Sequence, residues 1–117
     1  MKSPFFMKAL AAMILALILP SAASAQVLYG SLTGNVTDQS GAVVAGAKVE
    51  ALNTGTGAKK IVATDERGVF LFSDLQAGVY KLTITAASFK SVVQENLKID
   101  ANTSRRLDAQ LEVGDVS

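Results

Sequence analysis

The chain has no cysteine, no histidine and no tryptophan, and its 117 residues include only two prolines, five phenylalanines and two tyrosines. Without cysteine it can form neither a disulfide nor a lipid-modified N-terminal Cys. Without His or Cys, zinc hydrolysis loses its usual ligands, and the serines have no imidazole to activate them. Without Trp, a favoured platform for stacking a sugar ring is missing. Charge is balanced as well, with 11 basic against 10 acidic residues. Nothing in that balance points to nucleic acid or an anionic membrane surface as a partner.

What is present begins with an address. Lys2 and Lys8 precede an apolar run of 11 residues, Ala9 to Leu19, and Pro20 and the small residues Ala23-Ser24-Ala25 follow it. This is the layout of a secretory signal, and the run is shorter than the roughly 20 residues that span a bilayer. Extending the run through Phe5 to Met7 would give an anchor, but Lys8 interrupts it. Residues 1–25 are therefore expected to be a cleaved signal peptide, with Gln26 the first mature residue and a cut after Ala23 the nearby alternative. Cleavage removes Lys2 and Lys8, taking the basic count from 11 to 9 against 10 acidic residues, a formal charge of −1. No transmembrane segment is expected in the mature chain. An exported domain without disulfides suits a bacterial envelope.

Beyond Gln26 the apolar residues recur with period two, and turn signals arrive about every ten residues, which is a pattern of short strands. Leu32, Gly34 and Val36 alternate with Thr33, Asn35 and Thr37, and Asp38-Gln39-Ser40-Gly41 reverses the chain. Further strands are expected over 47–53, 59–64, 69–72 and 79–86, with a loop at 73–77, a weaker strand or edge at 89–95, and a last strand at 104–113. Phe70, Phe72, Tyr80, Leu82, Ile84, Leu107 and Leu111 form the expected core. Arg105 is expected at its mouth, with its stem packed and its head in water. Residues 26–113 make one domain, and 114–117 a tail or the start of a linker.

No catalytic, cofactor-binding or metal-ligating residue is expected. Asp65 with Glu66 and the neighbouring Asp74 are the nearest approach to a carboxylate cluster, and a turn role accounts for them. Lys59-Lys60 and Arg105-Arg106 read as solvated faces. Phe70, Phe72 and Tyr80 point inward by alternation, which leaves Tyr29 and Phe89 as the aromatics free to meet a ligand or partner. Thr83, Thr85 and Val79 are expected on outer faces, where they suit edge pairing or packing.

Two phrases carry a resemblance. Gly34, Val36, Asp38 and Gly41 fit G-x-V-x-D-x-x-G, and Gly46, Ala47 and Val49 fit the G-A-x-V that follows. Thr64, Asp65, Gly68, Phe70 and Phe72 fit T-D-x-x-G-x-F-x-F, and Leu75, Gly78, Tyr80 and Leu82 fit L-x-x-G-x-Y-x-L. Over roughly residues 30 to 112 the chain resembles the carboxypeptidase regulatory-like family. The resemblance implies a single seven-stranded antiparallel β-sandwich, transthyretin-like with Greek-key connections, attached to enzymes rather than catalytic itself. Two departures stand out: Ala45 where the family often has Pro, and Ser88 where it often has Gly. In bacteria such domains commonly sit behind a signal peptide at the front of Oar-like TonB-dependent outer-membrane transporters, which implies the periplasm or outer membrane of a Gram-negative cell as the location. The implied role is noncatalytic docking or scaffolding against another envelope protein or a following plug and barrel, without a cofactor. Carbohydrate binding is the alternative, by analogy of fold.

Overall fold

The computed structural model describes residues 28–114, and the expected signal peptide, residues 1–25, and the last three residues lie outside that range. The described elements are all strands: β1 (Tyr29–Asp38), β2 (Lys48–Asn53), β3 (Lys59–Ala63), β4 (Val69–Gln76), β5 (Gly78–Thr85), β6 (Val92–Ile99), β7 (Ser104–Arg106) and β8 (Ala109–Leu111). They form a sandwich of two four-stranded sheets. In the first, β1 lies between β4 and the β7–β8 pair; the second runs β3-β2-β5-β6. No helix among the described residues is long and apolar enough to cross a membrane.

Alternation places the core. Leu32 and Val36 of β1, Phe70, Phe72 and Leu75 of β4, and Leu111 of β8 line the inner face of the first sheet. Val49, Ala51, Tyr80, Leu82, Ile84, Leu97 and Ile99 face them from the second. Phe70 and Phe72 meet edge to face with centroids 6.1 Å apart, a geometry worth about 0.5–1.5 kcal/mol beyond area burial. Two Asp-led turns use the same device. The Asp38 carboxylate accepts the N–H groups of Ser40 and Ala42 and the Ser40 hydroxyl, and the Asp65 carboxylate accepts those of Arg67 and Val69. Buried Thr64 ties the turns to the core: its hydroxyl donates to the Val44 carbonyl and accepts the Ala47 N–H.

Where the sequence reading fails, the ladder has slipped by one residue. On β4, Phe72 pairs with Leu32 and Leu75 with Gly30, so Ser73 and Asp74 together stand opposite Ser31. This β-bulge restores Leu75 to the inner face, and the expected 73–77 loop is mostly strand, through Gln76. On β6, Gln94 pairs with Leu82 and Leu97 with Tyr80, leaving Glu95 and Asn96 opposite Lys81. Asn96 takes a φ of 56° there. The strand is Val92–Ile99 rather than 89–95, and its buried Leu97 and Ile99 were not expected in the core. Phe89 sits in a turn instead, half-buried, bridged to Val113. Ser88, just before it, has a φ of 71°, the left-handed conformation that glycine adopts without strain.

The last expected strand is two strands, both parallel to β1 rather than antiparallel. Among the described residues the total is therefore eight strands, not seven. The break falls at Leu107-Asp108, over Gly34, where a Cβ would collide with the Leu107 carbonyl and the Phe70 ring. Glycine at 34 lets the chain cross there. The Asn35 N–H then donates to the Asp108 carboxylate at 2.9 Å, which stands in for the carbonyl an unbroken strand would offer. Leu107 is consequently only partly buried, packed against the core rather than within it.

Candidate functional site

A sandwich has two open sides, where the edge strands of its sheets face one another. On the first, β3 lies across from β4. Lys60 pairs with Ala51, a buried inward residue, so by register the lysine also points inward from its edge strand. Its ammonium reaches across to β4, donating to the Asp74 carbonyl at 2.6 Å and lying 2.9 Å from the Asp74 carboxylate. Beside this link is a cleft of about 170 Å³ lined by Tyr29, Ala51, Ala58, Lys60, Asp74, Leu75, Gln76 and Tyr80. Tyr80 forms its buried wall, and its hydroxyl donates to the Gln76 carbonyl at 2.6 Å. Tyr29, 49% exposed, is the accessible ring. Ligand pockets usually enclose about 300–1,000 Å³; this cleft is smaller.

The second open side has a similar link. Arg105 pairs with inward Leu32 and so also points toward the interior from an edge strand. Its guanidinium donates to the Lys98 carbonyl of β6 at 2.9 Å. Arg106 faces outward, to the Asp108 carboxylate at 3.2 Å and the Asn35 side-chain oxygen at 3.2 Å. Both basic pairs are exposed, as expected, and one member of each also joins the two sheets. Inward charges and bulges are both devices that keep an edge from accepting another strand. Here β3 and β7 carry the charges and β4 and β6 the bulges.

Of the sequence-predicted contacts, Tyr29 lies in the cleft and Phe89 does not. Tyr80 near the start of β5 touches the cleft, whereas Phe89 follows that strand's far end, so the two candidates do not share a site. The carboxylates separate as well. Asp65 and Glu66 precede β4 while Asp74 lies near its other end, and among the described residues no group of three or more potential ligands gathers. Asp65 is held below the usual carboxylate range by the N–H groups of Val69 and Arg67 and the Arg67 charge. Asp38 is lowered chiefly by the Ser40 hydroxyl, and Asp108 by the Asn35 N–H and then Arg106. Lys60, Asp74 and Gln76 were missed as cleft residues. Only the pairing of β3, β4 and β1 brings them together.

The outer face of the second sheet is the other distinctive surface. Register sets Ile61, Glu50, Thr83 and Val93 in one row across all four strands. Ile61 is 55% and Val93 49% exposed. Lys48, Lys59, Lys81 and Lys98 stand around the row. Val79 is exposed on the same face, as expected, while Thr83 and Thr85 are half-buried there.

The family model of the carboxypeptidase regulatory-like domain matches residues 31–112. The chain belongs to that family. Solved structures show the same sandwich. A chain of the type II cohesin–X-dockerin complex from Acetivibrio cellulolyticus is 24% identical, with a TM-score of 0.59 over 74% of this chain and 59% of its own. A candidate carbohydrate binding protein from Bacteroides uniformis is 16% identical, with a TM-score of 0.60 over 72% of this chain and 41% of its own. Acinetobacter radioresistens catechol 1,2-dioxygenase is 11% identical, with a TM-score of 0.60 over 83% of this chain and 56% of its own. These likenesses are of fold, and this regulatory-like domain spans less than two thirds of each chain. Among curated proteins the sequence has no match.

Proposed function

We propose that this regulatory-like domain is a noncatalytic docking module of an exported envelope protein, acting as the front domain of a TonB-dependent outer-membrane transporter. The observation that carries the docking reading is the pair of exposed apolar residues Ile61 and Val93 on the outer face of the second sheet, on a sandwich whose edge strands β3, β4, β6 and β7 carry inward charges or bulges. With strand addition disfavoured at those edges, an outer face suits a partner better. The likeness to a cohesin–X-dockerin complex agrees with a docking role, and the opening of the chain agrees with export.

The test is site-specific photocrosslinking in a Gram-negative envelope. A crosslinker at Ile61 or Val93 should capture one discrete envelope protein or the chain's own following region, and one at Thr33, on the opposite sheet, should not. Reading the gene past Ser117 should show a plug segment and then alternating strands of about ten residues.

Carbohydrate binding is the second reading, favoured by the place of Tyr29 in the cleft and by the Bacteroides uniformis structure. Saturable binding of starch or cellulose fragments, lost in Tyr29→Ala while the domain stays folded, would put it first.

A further inference from the structure

The cleft beside β3 and β4 sets polar groups that the fold leaves unengaged against an apolar lining. Ala51, Leu75 and Tyr80 are its buried residues, and the Tyr29 ring, 49% exposed, borders it. The Lys60 ammonium has three N–H groups and places two on Asp74, one toward the carbonyl at 2.6 Å and one toward Oδ2 at 2.9 Å, which leaves the third for a ligand. Among the described residues the other carboxylate oxygen of Asp74, the Gln76 amide and the Tyr29 hydroxyl make no hydrogen bond, while the Tyr80 hydroxyl is already held by the Gln76 carbonyl. The cleft therefore offers free donors and acceptors together, from a pair of opposite charges that sum to zero.

We infer that this cleft takes a single neutral polyhydroxylated ring, a free hexose or the last unit of a chain. The inference rests on the carbohydrate reading, the second of the two above, and gives it a ligand class. Size sets the first limit: about 150 Å³ is enough to hold one six-membered ring such as benzene, and the 170 Å³ here has no room for a second. Charge sets the next. An anion entering the cleft meets the Asp74 carboxylate and a cation meets the Lys60 ammonium, so either has to break the link between the sheets and leave one of its members unpaired. A neutral diol does neither. One hydroxyl accepts the spare Lys60 N–H and donates to the free Asp74 oxygen, its neighbour pairs with the Gln76 amide, and the C–H face of the ring rests on Tyr29. Two of those bonds are charge-assisted, the stronger kind. The remaining units of a chain extend into solvent and add no contact.

Titration of the mature chain, followed by amide NMR shifts, tests this with methyl glucoside, methyl galactoside and methyl mannoside, with glucuronic acid and glucosamine, and with malto- and cello-oligosaccharides of rising length. The expected result is saturable binding of at least one neutral methyl hexoside, with shifts centred on Tyr29, Lys60 and Gln76. The charged rings should bind several-fold more weakly, and the oligosaccharides no more tightly than one ring. Lys60→Met should weaken the neutral ring and turn the preference toward glucosamine, because Asp74 is left unpaired; Asp74→Asn should turn it toward glucuronic acid. Melting midpoints show that both variants stay folded, and a merely structural loss would weaken every ligand without changing their order. Affinity that climbs with chain length, or charged rings bound as tightly as neutral ones, would overturn the inference while leaving carbohydrate binding in place. No binding by any of these sugars would remove the carbohydrate reading and this inference together, and would leave docking untouched.

Discussion

The two open sides of the sandwich are closed by the same kind of group in unequal settings. Between β3 and β4 a lysine has both a carboxylate and a carbonyl to hold, and a cleft remains beside it. Between β6 and β7 an arginine has a carbonyl, and the bulge in β6 carries Leu97 and Ile99 fully into the core. The first side is joined by charge with space left over, the second by apolar packing with a polar bond at its rim. Exposed ion pairs contribute about 0–1 kcal/mol, whereas a buried Leu or Ile contributes several times that. The second side should accordingly be the stronger.

Truncation sharpens the contrast most. Leu97→Ala should cost about 2–5 kcal/mol, because it leaves a closed cavity. Leu75→Ala on the cleft side should fall toward the low end of that range, since its cavity joins a cleft that water can enter. Denaturant melts of the two variants measure the difference, and a larger loss at Leu75 would reverse the ranking. Ser88→Gly, near the second side, should stabilise by about 1 kcal/mol by relieving a left-handed serine, read as a higher denaturation midpoint.

Acid separates the sides by another route. Asp108, which bridges the break between β7 and β8, has its folded pKa below its unfolded one. Its contribution is present above the unfolded value of about 3.9 and is lost as pH falls through the folded value. Asp38 and Asp65 shift in the same direction. Stability should hold steady from neutral pH to about 5 and decline below about 4, less steeply in Asp108→Asn. Melting midpoints across that range check the slope. The smallest expected effects are at the links themselves: Lys60→Met and Arg105→Met should each change stability by no more than about 1 kcal/mol. A large loss at Lys60 alone would show that the first side depends on its link more than its exposure suggests.

The parts of this fold that were legible are those with unbroken alternation. Tyr80, Leu82 and Ile84 could be placed from their spacing, as could Leu32 and Val36, because a strand in register turns every second side chain inward. The bulges hid the rest. Once Ser73 and Asp74 oppose a single residue, Phe72 and Leu75 share a face at a spacing that reads as a loop, and Leu97 and Ile99 are lost in the same way after Gln94. The split of the last strand was out of reach because its cause, the Leu107 carbonyl over Gly34, is a contact between residues far apart in sequence. Tyr29, which lines the cleft, could be picked out as an accessible ring because an exposed aromatic can be read from alternation and position. Lys60, Asp74 and Gln76 were not, since inward direction on an edge strand depends on the partner strand's register.

Joining the first strand to the last also fixes an order of events. β1 leaves the ribosome, or crosses a membrane N-terminus first, long before Asp108 and Leu111, its partners 73 positions later. Until they arrive, one flank of β1 stays unpaired and Gly34 uncovered. Contacts of such long sequence separation make sandwiches slow, folding in roughly milliseconds to seconds. The chain should therefore remain pliable while most of it has already emerged and take its final shape only when the end is through, a timing well matched to passage in an extended state.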